Sequence, residues 1–414
     1  MQEKNDSPPA LSSDQLLYRS QFILGPSFID EFKSWKRIRV NDSIYLTVHP
    51  NLSTSQAIYR DKSITLLGFM LDPDNSEVGD FDIVSNLVRS FFSCDDLFRR
   101  TTKFGGRWIL IANDGRETRL FNDATGLRQV YYTDIHQAKD IWCASQPGIV
   151  ARMLNLQMDE EAVDFINYIR FKKEYWWPGD SSPYKEIKHL LPNHYLNLET
   201  GHCYRYWPSR GLNELSLDEA IEKISRTLSG LMQSASNRFD LALALSSGWD
   251  SRLVLASCRE IRHRISYYST RKPGMPRNHA DIKVPSRLLS RLGLKHDIID
   301  QNVELRGEFV EIFKKNVSFA HDEVLPRMQA NLDHYNLSKV AVTGSVSEVA
   351  RCHYRLPESE KVTALKLSSL APNMEDHPFV IKFFEKWLRE LVPYQLNPDT
   401  KNKDFKLDHT QARG

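Results

Sequence analysis

Short runs of β-branched and aromatic residues, separated by Gly, Asn and Asp, occupy the chain from about residue 18 to residue 155. Examples are SIYLTVH, SITLLGFML, RWILIAND, TRLFNDA and QVYYTD. Runs of this length bounded by turn residues are typical of antiparallel hairpins. One stretch, DIVSNLVRSFF, has apolar residues at helical spacing instead. The pattern predicts a sheet-dominated α+β domain over residues 18–155, preceded by a polar, disordered lead of residues 1–17.

A joining region follows over residues 156–215. DEEAVDFINYIRF predicts a helix with an acidic first turn. HYLNLETGHCYRYW predicts a hairpin whose turn lies at Thr200 and Gly201. We therefore expect a linker helix and a hairpin between two domains.

From residue 216 onward, strand-length apolar runs alternate with stretches of helical periodicity. A strand over 239–245 precedes a helix over 251–260, and RISYYST, HDIID and KVAVTG repeat the alternation. Strands separated by helices form βαβ units, whose crossovers build a parallel sheet. Residues 216–414 are therefore predicted to form an α/β doubly wound parallel-sheet domain. Such domains bind ligands beyond the carboxyl ends of the strands, near helix N-termini.

Composition narrows the function classes. The chain has 414 residues and a net charge of only +2, which argues against a nucleic-acid or anionic-membrane partner. Its longest apolar runs, such as ITLLGFML, are shorter than the ~20 residues that a membrane helix needs. The five cysteines are far apart and form no C-x-x-C pair, which argues against a disulfide framework or a zinc site. We expect a cytoplasmic protein with no nucleic-acid partner and no membrane insertion.

Small polar residues interrupt the apolar pattern in LALALSSGWDSRLVLASC, residues 241–258. Three interpretations are open. The segment could be a strand-to-helix turn in which Asp250 or Ser251 caps the helix, worth ~1 kcal/mol. It could be a nucleophile elbow, although that motif requires G-x-S-x-G and no glycine precedes either serine at the required spacing. It could also be a phosphate cradle, in which N–H groups and hydroxyls hold an anion and a carboxylate holds magnesium.

The sequence LSSGWDSRLVLA resembles the S-G-G-x-D-S pyrophosphate loop of the ATP pyrophosphatase (PP-loop) superfamily, most closely that of asparagine synthetases. Ser247 replaces the first glycine of that pattern. Members of the family bind ATP with this loop and activate a carboxylate as an acyl-adenylate, releasing pyrophosphate. The resemblance implies ATP and Mg²⁺ as cofactors and favours the phosphate cradle. The ATP-binding residues that it implies are Leu245, Ser246, Ser247, Gly248, Asp250, Ser251, Ser269 and Gly344.

Three later segments are similar to the same family. ISYYST, which ends near Ser269, matches the strand that reaches the adenine, and NHADIKVPSRLLSRLGLKHDII matches a helix-then-strand segment. VAVTGSVSEVARCHY matches a loop that normally reads T-G-x-G-x-D-E-L-F-G-G-Y. Ser347 stands there in place of an aspartate that helps to hold magnesium, so the implied metal ligands are Asp250 and Glu348. Arg351, within the usual glycine pair, is a further candidate site residue.

The first half resembles the glutaminase half of asparagine synthetases, in FGGRWILIANDGRETRLFNDATGLRQVYYTD and in the linker hairpin LLPNHYLNLETGHCYRYW. Glutaminases of the family use a cysteine directly after the initiator methionine as the nucleophile. Residue 2 is Gln2, and the nearest cysteine, Cys94, lies in a helix-like stretch typical of a buried thiol. The resemblance implies a degenerate class II glutamine amidotransferase-like domain over residues 18–155, which we expect to be a structural or partner-binding scaffold.

The C-terminal region departs from the family. HPFVIKFFEKWLRELVPY predicts one amphipathic helix and NPDTKNKDFKLDHTQARG a polar tail, where the family has helices with an adenylation lysine. A truncated C-terminus is left open, and no catalytic residue is assigned. Four lysines are available without a matching motif, namely Lys361, Lys366, Lys382 and Lys386.

Three function classes follow. The resemblance favours an asparagine-synthase-like, ATP-dependent carbon–nitrogen ligase that forms AMP and uses ammonia or an amine rather than glutamine. Its acceptor would be a carboxylate on a small molecule, peptide or saccharide, and a homodimer is among the expected assemblies. The alternative is a non-catalytic ATP-binding or partner-binding relative. A serine hydrolase is the third class.

Overall fold

The computed structural model describes residues 16–172, 176–208, 214–318, 322–347, 361–370 and 374–395, with the backbone alone at 172 and 390–395. The contacts divide the chain into two compact units. The parallel-sheet unit takes in Met1–Arg19, Pro73–Glu77 and Glu222–Ser345, and the antiparallel-sheet unit takes in Ser20–Asp72, Val78–Ile221 and Val346–Gly414. The predicted domain boundaries at 155 and 215 stay predictions. Most of the predicted lead lies outside the described residues.

Two six-stranded antiparallel sheets form the antiparallel-sheet unit. The first has the order β10-β8-β9-β1-β3-β2 and the second β12-β11-β7-β6-β5-β4. The predicted hairpin is confirmed as β11 and β12, and β11 also pairs with β7. The strands are β1 Phe22–Gly25, β2 Lys36–Arg39, β3 Tyr45–Val48, β4 Thr54–Tyr59, β5 Lys62–Leu71, β6 Gly105–Asn113, β7 Thr118–Asn122, β8 Tyr131–Thr133, β9 Cys143–Ala144, β10 Ile187–His189, β11 His194–Asn197 and β12 Cys203–Arg205.

The core of this unit lies on both faces of its second sheet. Along β6, Ile109 and Ile111 join the cluster that lies between the two sheets, whereas Trp108 and Leu110 join the cluster on the outer face. Because side chains of a strand alternate between faces, an apolar run of this length predicts burial on both sides. The sheet is therefore covered by the first sheet on one side and by helices on the other.

Those helices are α1 Asp80–Ser90 and α2 Cys94–Thr101. Ser93 begins α2, and its side chain accepts a hydrogen bond from the Asp96 N–H, which satisfies one of the free donors of the first turn. The apolar faces of both helices pack on the outer face of the second sheet. Helical periodicity in DIVSNLVRSFF therefore predicted α1 correctly.

Four more helices belong to the antiparallel-sheet unit. They are α3 Pro147–Leu154, α4 Glu160–Lys172, α10 Ala364–Leu370 and α11 Pro378–Gln395. The predicted C-terminal amphipathic helix is confirmed as α11, and its Phe379 ring stacks on Phe165 of α4 with centroids 4.7 Å apart. Buried side chains of α10 and α11 thus share one apolar cluster with α4.

The parallel-sheet unit has the strands β13 Leu241–Ala244, β14 Ile265–Arg271, β15 Asp297–Asp300 and β16 Val340–Val342. All pairings are parallel, in the order β15-β14-β13-β16. The prediction of antiparallel sheets followed by a parallel sheet with helices is confirmed in this general form. The helices are α5 Leu217–Arg238, α6 Trp249–Ser257, α7 Ala280–Arg291, α8 Gly307–Asn316 and α9 Leu325–Tyr335, with 3₁₀ turns at Arg259–Arg264 and Asp322–Val324.

Among the described helices, none combines the length and the apolar character that a membrane span requires.

Two glycines allow the backbones of β5 and β6 to approach each other closely. Gly68 has φ +96° and Gly106 φ +107°, and a Cβ on Gly106 would lie 2.2 Å from the Phe69 carbonyl oxygen. We expect Gly106→Ala to lower the free energy of unfolding by about 2 kcal/mol or more, because it adds both backbone strain and a clash. Denaturant unfolding followed by circular dichroism measures this change. Gly79→Ser is the control, since its Cβ has ordinary contacts; equal midpoints for both variants would contradict the expectation.

Candidate functional site

The candidate site begins where β13 ends. The ladder continues for one residue, as the Leu245 N–H donates to the Tyr268 carbonyl at 2.8 Å. Residues 246–248 then turn the chain into α6, whose N-cap is Gly248 in an extended conformation. Ser247 has no positive φ, so a side chain fits without strain where the family pattern has glycine. The apolar strand, the small polar break and the helix therefore occur in the predicted order, but the strand is Leu241–Ala244 rather than 239–245 and the helix is Trp249–Ser257 rather than 251–260.

Two hydroxyls close the loop onto the first turn of α6. The Ser246 N–H donates to Ser251 Oγ at 3.1 Å, and the two hydroxyl oxygens are 3.3 Å apart. Ser246 Oγ also accepts from the Gly248 N–H at 3.2 Å. These bonds fix the loop beside the N-terminus of a helix, where free N–H groups and the helix dipole favour an anion.

A carboxylate from another element contacts the loop. Asp281, in the first turn of α7, accepts hydrogen bonds at Oδ1 from the Ser247 N–H at 3.0 Å and the Ser247 hydroxyl at 2.6 Å. The two bonds from Ser247 hold the pKa of Asp281 below its ordinary value, and the nearby charge of Lys272 adds to the shift. Asp281 was not among the predicted site residues, since nothing in its local pattern names a partner 34 positions away.

Ser269, a predicted ATP-binding residue on β14, turns its hydroxyl inward. The residue is 2 % exposed, and Oγ donates to the Leu245 carbonyl at 2.8 Å. The same oxygen lies 2.9 Å from His296 Nε2, and His296 Nδ1 lies 2.9 Å from the Ser286 hydroxyl. A ligand at this strand end would therefore meet the backbone of Ser269 rather than its side chain.

The hydrogen-bond network of Ser269, His296 and Ser286 has fewer protons than acceptors. Ser286 Oγ lies 2.7 Å from the Ile282 carbonyl, so both seryl hydroxyls have a backbone acceptor besides the imidazole. Burial lowers the pKa of His296, which favours the neutral ring with a single N–H. One hydroxyl must then donate to the ring instead of to its carbonyl.

Gly344 packs against the first turn of α6. A Cβ at this position would lie 2.7 Å from the Asp250 carbonyl carbon and 2.7 Å from the Ser251 nitrogen. Gly344 is the second residue after the end of β16, so the structure brings two predicted site segments together across adjacent strands. Only glycine permits this approach, which the resemblance alone did not explain.

A tryptophan and an arginine beside the loop were also missed. Trp249 is 78 % exposed, and the Arg252 guanidinium lies 4.4 Å from the centre of its ring. Arg252 Nε donates to the Gly248 carbonyl at 3.1 Å, which holds the positive charge next to the loop. The sequence offered one signal for them, namely the large Trp249 within a run of small residues.

Of the remaining predicted residues, the structure describes Asp250 and Ser347 but not Glu348 and Arg351. Asp250 lies in the first turn of α6. Glu348 and Arg351 lie outside the described residues, and Ser347 belongs by its contacts to the antiparallel-sheet unit. Within the described ranges, no group of three or more His, Cys, Asp or Glu side chains is arranged to hold a metal ion.

Cys94, the cysteine nearest to the start of the chain, is a buried free thiol as predicted. Burial raises the pKa of the Cys94 thiol far above its ordinary value, and the charge of Asp114 adds to the shift. A thiol that stays protonated is a poor nucleophile.

Comparisons with known proteins give remote similarities. No family model and no curated protein matches the chain. The chain is similar to the NH3-dependent NAD synthetase of Campylobacter jejuni subsp. jejuni NCTC 11168 in complex with the nitrate ion, at 16 % identity and a TM-score of 0.25, covering 48 % of this chain and 93 % of that one. It is similar to the glutamine phosphoribosylpyrophosphate amidotransferase of B. subtilis complexed with ADP and GMP, at 13 % identity and a TM-score of 0.28, covering 68 % and 66 %.

A third solved structure is the glutamine-dependent NAD+ synthetase of Acinetobacter baumannii in complex with ADP, at 12 % identity and a TM-score of 0.25. The similarity covers 55 % of this chain and about half, 52 %, of that enzyme. The neighbours thus include NAD synthetases and an amidotransferase.

The close approach of Gly344 to the backbone of α6 predicts that a larger residue at this position destabilises the protein. We expect Gly344→Ala to lower the free energy of unfolding of the parallel-sheet unit by about 1–3 kcal/mol, because the added methyl group overlaps the backbone of α6. Gly307→Ala is the control, since no atom lies within 4 Å of the Cβ it would gain. Urea unfolding measures both. A Gly344→Ala protein as stable as the control would show that α6 yields without cost.

Proposed function

We propose that this protein is an asparagine-synthase-like, ATP-dependent amide ligase that forms AMP through an acyl-adenylate. The observation that carries the proposal is the loop of residues 246–251, which joins a central parallel strand to a helix N-terminus. In sheets of this type, ligands bind where the strand order reverses. Here β14 and β15 lie on one side of β13 and β16 lies on the other, so the reversal falls between β13 and β16.

Both flanks of that crevice carry features suited to phosphate. The β13 side supplies the hydroxyls of Ser246, Ser247 and Ser251 and the N-terminal N–H groups of α6. On the β16 side, Gly344 has no side chain and lies against the α6 backbone. Small residues of this kind let the main chain approach an anion. These features support nucleotide phosphate as the ligand.

Magnesium is the proposed cation, and Asp250 in the first turn of α6 is the described carboxylate that would hold it. Mg²⁺ is typically bound by one or two carboxylates together with substrate phosphates and water. Asp250 and Glu348 are the proposed protein ligands, and Arg351 is a further candidate contact. The ion would supply positive charge against the leaving pyrophosphate. Ser347 offers no carboxylate, so we expect weaker magnesium affinity than in a site with an additional acid.

The nitrogen donor is proposed to be ammonia or an amine. The Cys94 thiol is buried, and burial raises its pKa, so it is a poor nucleophile. The antiparallel-sheet unit is accordingly proposed as a degenerate amidotransferase-like scaffold. The acceptor is proposed to be a carboxylate of a small molecule, peptide or saccharide, and the assembly a homodimer. The described cysteines are free thiols, which supports the proposed cytoplasmic location.

A non-catalytic ATP-binding relative is the second candidate. The serine at position 347, where the family pattern has a carboxylate, is the observation that favours it. The serine hydrolase has less support. The hydroxyls of Ser246 and Ser251 bond each other, and that of Ser247 donates to Asp281, whereas a catalytic serine is paired with a general base. Ser269 does lie 2.9 Å from His296, but it is 2 % exposed, so a substrate does not reach its hydroxyl.

Asp250 provides the test of ATP binding. We expect Asp250→Asn to weaken magnesium-dependent ATP binding at least about thirtyfold, because it removes a proposed metal carboxylate. Titration calorimetry measures the affinity, and circular dichroism checks the fold. The control is Glu260→Gln, an exposed acid of the same unit. Unchanged affinity in Asp250→Asn would refute the assignment of this residue.

The reaction products test the chemistry. With labelled ATP, excess magnesium, ammonia and a panel of carboxylates including aspartate, we expect AMP and pyrophosphate. Glu348→Gln should slow AMP formation by about a hundredfold or more, since removing one preorganised electrostatic group commonly costs ~3 kcal/mol of barrier stabilisation. Glutamine in place of ammonia should yield no product.

Each other outcome is decisive. ATP binding without AMP for every acceptor supports the non-catalytic candidate. ADP as the product contradicts both candidates, because it places attack at the γ-phosphate. Release of glutamate from glutamine that survives Cys94→Ala would reveal a different nucleophile.

A further inference from the structure

Both hydrogen-bond donors of Ser247 are used by one carboxylate oxygen. The N–H and the hydroxyl of Ser247 point to Asp281 Oδ1, at 3.0 and 2.6 Å. These are the kinds of donor that a phosphate oxygen would take. The loop therefore already holds an anion that belongs to the chain itself.

This contact differs from ordinary helix capping. An acidic residue in the first turn of a helix usually serves the N–H groups of its own helix. At α7 the cap is His279, whose Nδ1 accepts from the Asp281 N–H at 3.2 Å. The Asp281 carboxylate reaches across to the loop after β13 instead.

The carboxylate is both charged and movable. Lys272 lies close enough to stabilise its negative charge. Its side chain is 39 % exposed, so rotation into solvent needs no unfolding of the helix. A ligand can therefore displace it, but only by overcoming its hydrogen bonds and its charge.

Metal-free and metal-bound nucleotides meet this carboxylate differently. ATP without a cation brings several negative charges to a position beside another one, and the repulsion is strong at short range. A divalent cation reduces the charge of the phosphates and can interact favourably with a neighbouring carboxylate.

We propose that Asp281 is a specificity-determining residue, which excludes metal-free polyphosphate from the 246–251 loop and admits the metal complex. The inference rests on the proposed function, namely that this loop binds ATP. Ser247 has a second role here, because its hydroxyl adds a donor that a glycine at this position lacks.

The test measures ATP affinity by calorimetry in two buffers, one with EDTA and one with excess magnesium. We expect Asp281→Asn to tighten metal-free ATP binding by about tenfold or more, because the charge is removed while the side-chain shape stays. The ratio of the two affinities should fall accordingly. Asp333→Asn is the matched control, since its side chain in the same unit is also 39 % exposed and forms an ion pair with Arg306 away from the loop. We expect the control to stay within twofold of the parent protein.

A second variant changes Ser247, the donor in the contact with Asp281. Ser247→Gly removes the 2.6 Å bond and should tighten metal-free binding in the same direction by a smaller factor. The double variant should bind no more tightly than Asp281→Asn, because both changes relieve one interaction. If Asp281→Asn does not fold, Asp281→Ser takes its place in both buffers, because it removes the same charge and leaves the Ser247 hydroxyl in the loop.

Failure of the inference and failure of the proposed function differ in outcome. Parent protein that binds ATP with magnesium, together with unchanged or weaker metal-free binding in both variants, overturns the role of Asp281 alone. Absence of ATP binding by the parent and the variants in both buffers overturns the proposed function and the inference with it.

Discussion

Parallel pairing of β13 with both β14 and β16 places the carboxyl ends of three strands at one edge of the sheet. Everything assigned to the candidate site follows from this arrangement. It brings Gly344 within reach of α6 and sets the 246–251 loop beside the end of β14. An antiparallel neighbour would carry its connecting segment to the opposite edge, and no crevice of this composition could form.

Side-chain hydroxyls then determine the shape of the loop. Ser246 and Ser251 bond each other across the start of α6, and Ser247 bonds a carboxylate on α7. Three serines thus connect one loop to two helices, whereas glycines would leave its main-chain donors without these partners. This rigidity comes from short polar contacts rather than from burial, since apolar side chains take little part in the loop.

Local patterns predicted the fold far better than they predicted its contacts. The apolar run of β13, its break and the start of α6 could all be read from residues 241–258, because strand and helix periods differ within a few positions. The packing of α11 on α4 could not, since an amphipathic face specifies that a partner exists but not which one. The network of Ser269, His296 and Ser286 was missed for the same reason, as it depends on three separate elements.

The exposed indole of Trp249 has a practical consequence. It stands in water at the first position of α6, next to the loop and beneath a guanidinium group. The fluorescence of an indole depends on the polarity of its surroundings and on neighbouring charge. A solvent-facing ring therefore emits at longer wavelength than a ring in a core. The chain has eight tryptophans, so the difference in emission between the protein and a Trp249→Phe variant isolates this indole and can follow the arrival of a charged ligand beside the loop.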